Sequence, residues 1–263
     1  MKTMNFIRST VICAAALSML WIPDGAQAQN LTDKQGRKTG HWLVTWPNGN
    51  KQYEAEFAEG NPVGLMKRYD QEGRLTAEML FAEKGRRCDA ILYYPEGKKA
   101  AEGIFINKDK DSVWNYYAED DGAIRIRESW KKGVMDGTVI SYYPNGQISE
   151  ITEWISGVKE GKWEQFFDNG EKKLSGTYVA GLRNGPYTAY FPDGKIELEG
   201  QYLNDLFHAS WKYYDENGEV ILTLEYDRGK ILNKDELVGK DEELLKKIED
   251  NTGNIPDPAL GEF

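Results

Sequence analysis

Short runs in which apolar and polar residues alternate recur along most of the chain. From Lys51 to Phe57, the residues Tyr53, Ala55 and Phe57 fall on one side and Gln52, Glu54 and Glu56 on the other. A period of two sends successive side chains to opposite faces of a β-strand. Asn-Gly, Asp-Gly and similar pairs separate the runs, and they supply the positive φ that tight hairpin turns require. The pattern predicts strands joined by short turns.

The turns keep a count. Turn glycines stand at Gly49, Gly73, Gly97, Gly122, Gly146, Gly170, Gly194 and Gly218, a spacing of 24 residues with a single 25 at the longer turn ending in Gly122. Eight residues after each stands an aromatic: Phe57, Phe81, Phe105, Trp130, Trp154, Tyr178, Tyr202, Tyr226. Nine residues before each (ten in the lengthened repeat) stands a small one: Gly40, Gly64, Cys88, Ser112, Gly137, Gly161, Gly185, Ala209. The small column is expected to let a neighbouring aromatic ring lie flat on the backbone. Each unit reads as one hairpin, linked to the next by a second turn that often holds Gly, as at Gly60, Gly133, Gly157, Gly181 and Gly229. A lone hairpin is marginal in water, whereas stacked hairpins share cross-strand pairs worth about 0.2–1 kcal/mol each. The expected fold is an all-β repeat protein over 36–232. It is an elongated single-layer antiparallel meander of about eight 24-residue hairpins, with contacts between neighbours and no single central core.

The columns G-x-W-x-x-Y-Y-P-N-G resemble MORN repeats, in the bacterial variant found in antitoxins of toxin–antitoxin families. Gly161-Lys162-Trp163-Glu164-Gln165-Phe166-Phe167-Asp168-Asn169-Gly170 is a clear instance, and Gly137 to Gly146 and Gly185 to Gly194 are two more. The resemblance covers roughly 36–230. It implies a hairpin array that serves as an assembly platform, a dimerisation device or a lipid binder in different proteins. Three stretches depart from the pattern, at 84–90, at Asn107 to Asp111 and at Asn204 to His208. They are expected to be degenerate repeats or bends.

The ends read differently. Lys2 and Arg8, the apolar run from Ser9 to Ile22, Pro23 and Ala26-Gln27-Ala28 read as a secretory signal peptide over 1–28. An exported protein, periplasmic or associated with an outer membrane, is the expectation, with an extracellular location as the alternative. Residues 29–35 are expected to form a flexible lead. A capping helix is expected over 233–250, with Leu244, Leu245 and Ile248 on one side, followed by a mobile tail over 251–263. The net charge of −10 becomes −11 when Lys2, Arg8 and Asp24 leave with the leader. Such a surface repels nucleic acid and anionic lipid. Only Cys88 remains outside the leader, which excludes an intrachain disulfide. No later run is long enough for a transmembrane helix.

Catalytic chemistry has little to build on. His41 and His208 occupy non-equivalent positions, with six repeats between them. Cys88 fills the small column and reads as a packed thiol, although Arg86 and Arg87 could lower its pKa. Glu54, Glu78, Glu102 and Glu199 share one column, which marks them as repeat residues. Asp109, Asp111, Asp120 and Asp121 suggest at most a weak cation site. No phosphate-binding or Ca²⁺-binding motif is present, and no cofactor or metal is expected. The aromatics are ladder residues first. Trp42, Trp46, Trp114, Trp163 and Trp211 are the candidates for an exposed groove that takes a partner or a sugar ring. The expected function is a non-catalytic protein–protein scaffold of the bacterial cell envelope, as a subunit of an outer-membrane or secretion assembly. A carbohydrate-binding module and an antitoxin-like neutralising partner are the alternatives.

Overall fold

A computed structural model describes residues 29–240 and 245–246. It consists of eight hairpins in chain order, here numbered as repeats 1 to 8. Their strand pairs are Lys38–Thr45 with Lys51–Ala58, Asn61–Tyr69 with Leu75–Ala82, Arg87–Tyr93 with Lys99–Ile106, and Asp109–Tyr117 with Ile124–Lys131. Then follow Val134–Met135 and Gly137–Tyr142 with Ile148–Ile155, Val158–Phe166 with Lys172–Val179, Leu182–Arg183 and Gly185–Tyr190 with Ile196–Leu203, and Leu206–Tyr214 with Val220–Asp227. Pairing is antiparallel and links chain neighbours, so the array is one open meander.

Both turn types follow from backbone chemistry. In repeat 1 the Trp46 carbonyl accepts from the Gly49 N–H at 2.9 Å, and the Trp46 N–H donates to Asn50. Gly49 has φ +89°, so this is a three-residue loop closed by a left-handed residue. Gly122 closes onto Ala118 instead, which is the extra residue of the 25-residue interval. The links are two-residue turns with positive φ at both positions, such as Glu59 (51°) and Gly60 (83°). Asn107-Lys108 (53°, 76°) and Asn204-Asp205 (52°, 66°) form the same turn without glycine. These two departures are therefore intact repeats, since Asn tolerates the left-handed region better than other residues do.

The small column has a different cause from the one expected. Seven of its eight members have positive φ, from Ala209 at 59° to Gly137 at 118°. Each marks a bulge. Gly103 faces the three residues 112–114 of the next strand, and Gly200 faces 209–211. Cys88 is the exception. Its repeat keeps an unbroken register from Ala77↔Leu92 to Ala82↔Arg87, and the surplus residues go into a longer link, Glu83–Gly85, all with positive φ. That accounts for the aberrant stretch 84–90.

Rings do lie flat on glycine, but in another column. Trp114 covers Gly103 and Trp211 covers Gly200, so closely that a Cβ at either glycine would overlap the indole. Each indole N–H then donates to the carbonyl of the residue after that glycine, Trp114 to Ile104 at 3.1 Å and Trp211 to Gln201 at 3.0 Å. Both tryptophans are fully buried.

The aromatic face holds two apolar clusters. One runs from Trp163 to Tyr226 and the other gathers Cys88, Ala90, Ala101 and Trp114. Repeat 5 separates them, and it places Glu150 and the buried Thr152 on this face. Glu150 accepts from Thr152 Oγ1 and from Gln165 Nε2, both at 2.9 Å, so the polar inset is satisfied internally.

Both ends of the sheet are closed by an asparagine amide. Asn30 Nδ2 donates to the Leu43 carbonyl at 3.0 Å and its Oδ1 accepts from the Leu43 N–H at 2.9 Å. At the far edge Asn233 Nδ2 donates to Thr223 at 3.0 Å and its Oδ1 accepts from Glu225 at 2.8 Å. The flexible lead expected over 29–35 instead carries a strand, Leu31–Thr32, paired with Thr39 and Lys38. At the C-terminal end Lys230–Ile231 and the 3-10 turn Lys234–Leu237 flank the last strand, and Leu237 packs on the larger cluster. Of the expected helix beyond, only Leu245 and Lys246 are described. The signal peptide expected over 1–28 and the mobile tail expected over 251–263 lie outside the described residues.

Gly200→Ala should destabilise the protein by about 1–3 kcal/mol, as overpacking a full core does. Gly176→Ala, whose Cβ would stand 3.2 Å from the Trp163 ring, should be milder. Urea unfolding midpoints decide the order.

Candidate interaction surface

Five tryptophans were the sequence's candidates for a binding groove. Trp114, Trp163 and Trp211 lie inside the aromatic face, at most 4% exposed, and display no ring to a ligand. Trp42 is half-buried, with Lys38 Nζ 4.3 Å above its ring and its N–H donated to Leu31. Trp46 sits at the turn edge, donates to the Tyr69 carbonyl at 3.1 Å, and lines an open groove of about 610 Å³ with Arg68, Tyr69 and Tyr93.

The cations on the aromatic face are internal too. Lys38, Lys110, Lys159 and Arg183 each lie over the aromatic eight residues after the turn glycine in their own repeat, as with Lys110 at 4.6 Å from Trp130 and Arg183 at 4.5 Å from Tyr202. Trp130 in turn donates to Glu128 at 2.8 Å. The face is thus filled by its own side chains.

The opposite face carries the glutamate column. Glu78 accepts from Tyr93 at 2.7 Å and pairs with Lys67 at 3.1 Å. Glu102 accepts from Tyr117 and Lys99, and Glu199 from Tyr214 and Lys212. Glu54 accepts from Lys51 and flanks His41, which also contacts Glu56 at 3.0 Å. These hydrogen bonds hold all four carboxyls below the usual range. The largest cause is Lys51 for Glu54, Tyr93 for Glu78, Lys99 for Glu102 and Tyr214 for Glu199.

The remaining chemical candidates disperse. Burial pushes the Cys88 thiol up to about 11, with Asp89 adding to the effect, so the neighbouring arginines do not activate it. Asp109 and Asp111 begin the strand Asp109–Tyr117, whereas Asp120 and Asp121 lie in the turn after its far end. Asp121 accepts from Arg125 at 2.6 Å, and Asp111 from the Lys132 N–H at 3.1 Å. Among the described residues no three His, Cys, Asp or Glu gather in a way that could hold a metal ion.

Two rows of exposed aliphatics remain, both on the glutamate face. In repeats 2 to 4, Leu65 pairs with Leu80 across neighbouring strands, Asp89 pairs with Ile104, and Val113 follows. Leu65, Leu80 and Ile104, with Ile91, Glu78 and Glu102, line an open groove of about 360 Å³. Leu65, Leu80 and Val113 are 44–51% exposed. In repeats 5 to 8, Val134, Ile155, Val158, Val179, Leu182 and Leu206 run along the link edge, 41–58% exposed. The matching positions in repeats 1, 2 and 4 hold Arg37, Asn61 and Asp109, so the hairpin itself does not demand aliphatics there. Removing the exposed half of one such side chain from water is worth about 1 kcal/mol.

Residues 135–155, 159–180, 183–204 and 207–228 match the model of the MORN repeat variant family. The stretch 135–228 is a run of MORN repeat variants. Repeats 1 to 4 continue the same hairpin geometry. MORN repeats are generally protein- or membrane-binding units, with which an interaction scaffold agrees. No helix among the described residues is long and apolar enough to cross a membrane. No curated protein matches the chain. Among solved structures, the crystal structure of TcdB2-TccC3-Cdc42 aligns with 76% of this chain and 16% of its own chain, at 11% identity and a TM-score of 0.18. A TM-score that low supports no statement about this protein.

The carboxyl column makes stability fall in acid. These groups have lower pKa values folded than unfolded, so their contribution is complete above the unfolded value of about 4.5. It is lost as pH drops through the folded values, because the unfolded chain then binds more protons. Urea midpoints should therefore fall between about pH 6 and about pH 3. Tyr117→Phe should raise the Glu102 pKa, read by side-chain NMR titration.

Proposed function

We propose that this protein is a non-catalytic protein–protein interaction scaffold of the bacterial cell envelope, exported by its N-terminal leader. The observation that carries this reading is the aliphatic groove on the glutamate face of repeats 2 to 4, built by Leu65, Leu80 and Ile104. The aromatic face is consumed by the protein's own packing, so this open strip is what a partner meets. Apolar side chains ringed by carboxylates, lysines and tyrosines suit a protein surface with an apolar centre and a polar rim. The shallow, open shape suits a broad contact better than an enclosed small substrate.

The test is capture of partners from gently crosslinked envelopes with the wild type and with Leu65→Asp/Leu80→Asp. A stoichiometric set of envelope proteins that disappears with the double variant is expected. Identical captures, or none from either protein, would remove the assignment of this groove.

A second reading rests on Trp46. Its ring edges the 610 Å³ groove beside Arg68, Tyr69 and Tyr93, an arrangement of aromatic and polar groups that suits a sugar ring. Envelope glycans would then shift Trp fluorescence in the wild type and not in Trp46→Phe. No shift in either would leave the protein-docking reading alone.

A further inference from the structure

We propose that the ligand of the groove beside Trp46 is a uronic acid, a pyranose ring that carries a carboxylate, and that Arg68 receives the carboxylate; this rests on the sugar-binding reading of that groove. Arg68 stands in a cross-strand row with Tyr53 on one side and Ala77 on the other, and the row continues through Leu92 to Ala101. Directly paired residues share a face. Arg68 therefore rises from the surface that these neighbours form, in the groove of about 610 Å³ that Trp46 lines.

The guanidinium is uncommitted. The other arginines in the strands each donate to a side-chain oxygen: Arg87 to Asp89, Arg125 to Asp121, Arg127 to Asn115 and Arg183 to Asp205. Arg68 is exposed and has no such partner among the described residues. Asp70 is the acidic residue of the groove lining, and it is held by Arg74, through Nε at 2.7 Å and the backbone N–H at 2.9 Å. It does not compete for Arg68. The groove of repeats 2 to 4 has the opposite character, with Glu78, Asp89 and Glu102 in its lining.

A free guanidinium suits a carboxylate, because its planar fork offers two parallel N–H bonds to the two oxygens. The other groups suit the ring. The Trp46 indole is fixed by its bond to the Tyr69 carbonyl at 3.1 Å, so little freedom is lost when a ligand packs on it. An indole presents an apolar face to the C–H face of a pyranose. Gln52 and Thr76 line the same groove and offer partners to hydroxyls. Thr76 Oγ1 donates to the Arg68 carbonyl at 3.2 Å, which leaves its lone pairs to accept.

The hairpin does not demand this surface. The position of Ala77 holds the buried leucines Leu174, Leu198 and Leu222 in repeats 6 to 8, and the buried Tyr213 takes the position of Arg68 in repeat 8. Repeat 2 carries a small residue and a charge where later repeats pack a core.

Trigalacturonate and its methyl ester share their rings and differ in charge. Indole N–H resonances of the isotope-labelled protein are followed by NMR on titration with each, and Trp46→Phe identifies the Trp46 signal. Trigalacturonate should shift that signal saturably. The ester should bind at least about tenfold more weakly, the scale of a charge-assisted hydrogen bond. Arg68→Gln should bring the acid down to the affinity of the ester, while the other indole signals stay in place and report an intact fold. Arg68→Lys should fall between, since it keeps the charge without the fork. Equal binding of acid and ester by the wild type would overturn the proposal and leave the sugar reading standing. No shift with either would overturn both. Acid binding that Arg68→Gln leaves undiminished would remove Arg68 from the site, and tighter binding of benzoate than of trigalacturonate would remove the sugar.

Discussion

A sheet with no second layer has to make a core from its own side chains. The lock formed by a tryptophan on a glycine of the preceding repeat is what permits this. At Gly103 and Gly200 the absent Cβ lets an indole lie against the backbone. The bulge beside it sets three residues against one, and the indole N–H bonds the next carbonyl at 3.1 or 3.0 Å. Ring, backbone and hydrogen bond close together, and the tryptophan leaves solvent altogether. A layer that would otherwise be supplied by a helix or a second sheet is replaced by rings laid down on the strand they adjoin.

The same device explains why the array is uneven. The lock holds where Trp or Tyr meets Gly, between repeats 3 and 4 and through repeats 6 to 8. Repeat 5 offers Val139 to Glu128, and its Thr152 and Glu150 turn to each other and to Gln165. The two apolar clusters are thus separate bodies of packing on one continuous sheet. Stability in such an array is a sum of local and neighbour contributions, and at repeat 5 those contributions are polar hydrogen bonds where the flanking repeats have packed rings.

Much of this was legible in the sequence. Turn glycines at 24-residue intervals gave the hairpins, and the complete aromatic column gave the buried face. The small column was visible, but its cause was not. Gly40, Gly64 and Ala209 are small because the backbone there is left-handed, and sequence alone does not separate that demand from a steric one. The glycines that accept rings, Gly103, Gly176 and Gly200, occur in only three repeats and left no complete column to notice. Five tryptophans drew attention as a groove because large aromatics are good ligand contacts. Three of the five are instead buried in their own sheet. The exposed aliphatics carried a readable signal: Val134, Val158, Leu182 and Leu206 share one position, where earlier repeats hold Arg37, Asn61 and Asp109.

That contrast separates what the fold needs from what it merely carries. A position beside a link turn accepts arginine, asparagine or aspartate without loss of the hairpin, so the fold does not ask for valine or leucine there. Leaving Val134, Ile155, Val158, Val179, Leu182 and Leu206 half in water works against solubility, and a sheet with open edges would turn that liability into aggregation. The two asparagine amides remove the edge route by satisfying the backbone groups that another strand would take. An apolar row on a sheet that cannot add strands is then limited to contacts made face to face. The molecule combines closed ends, a self-filled aromatic face and an opposite face whose charges are mostly paired. What it leaves for other molecules is confined to two aliphatic rows and the turn edge around Trp46, and each of these can be altered without touching the locks that hold the sheet together.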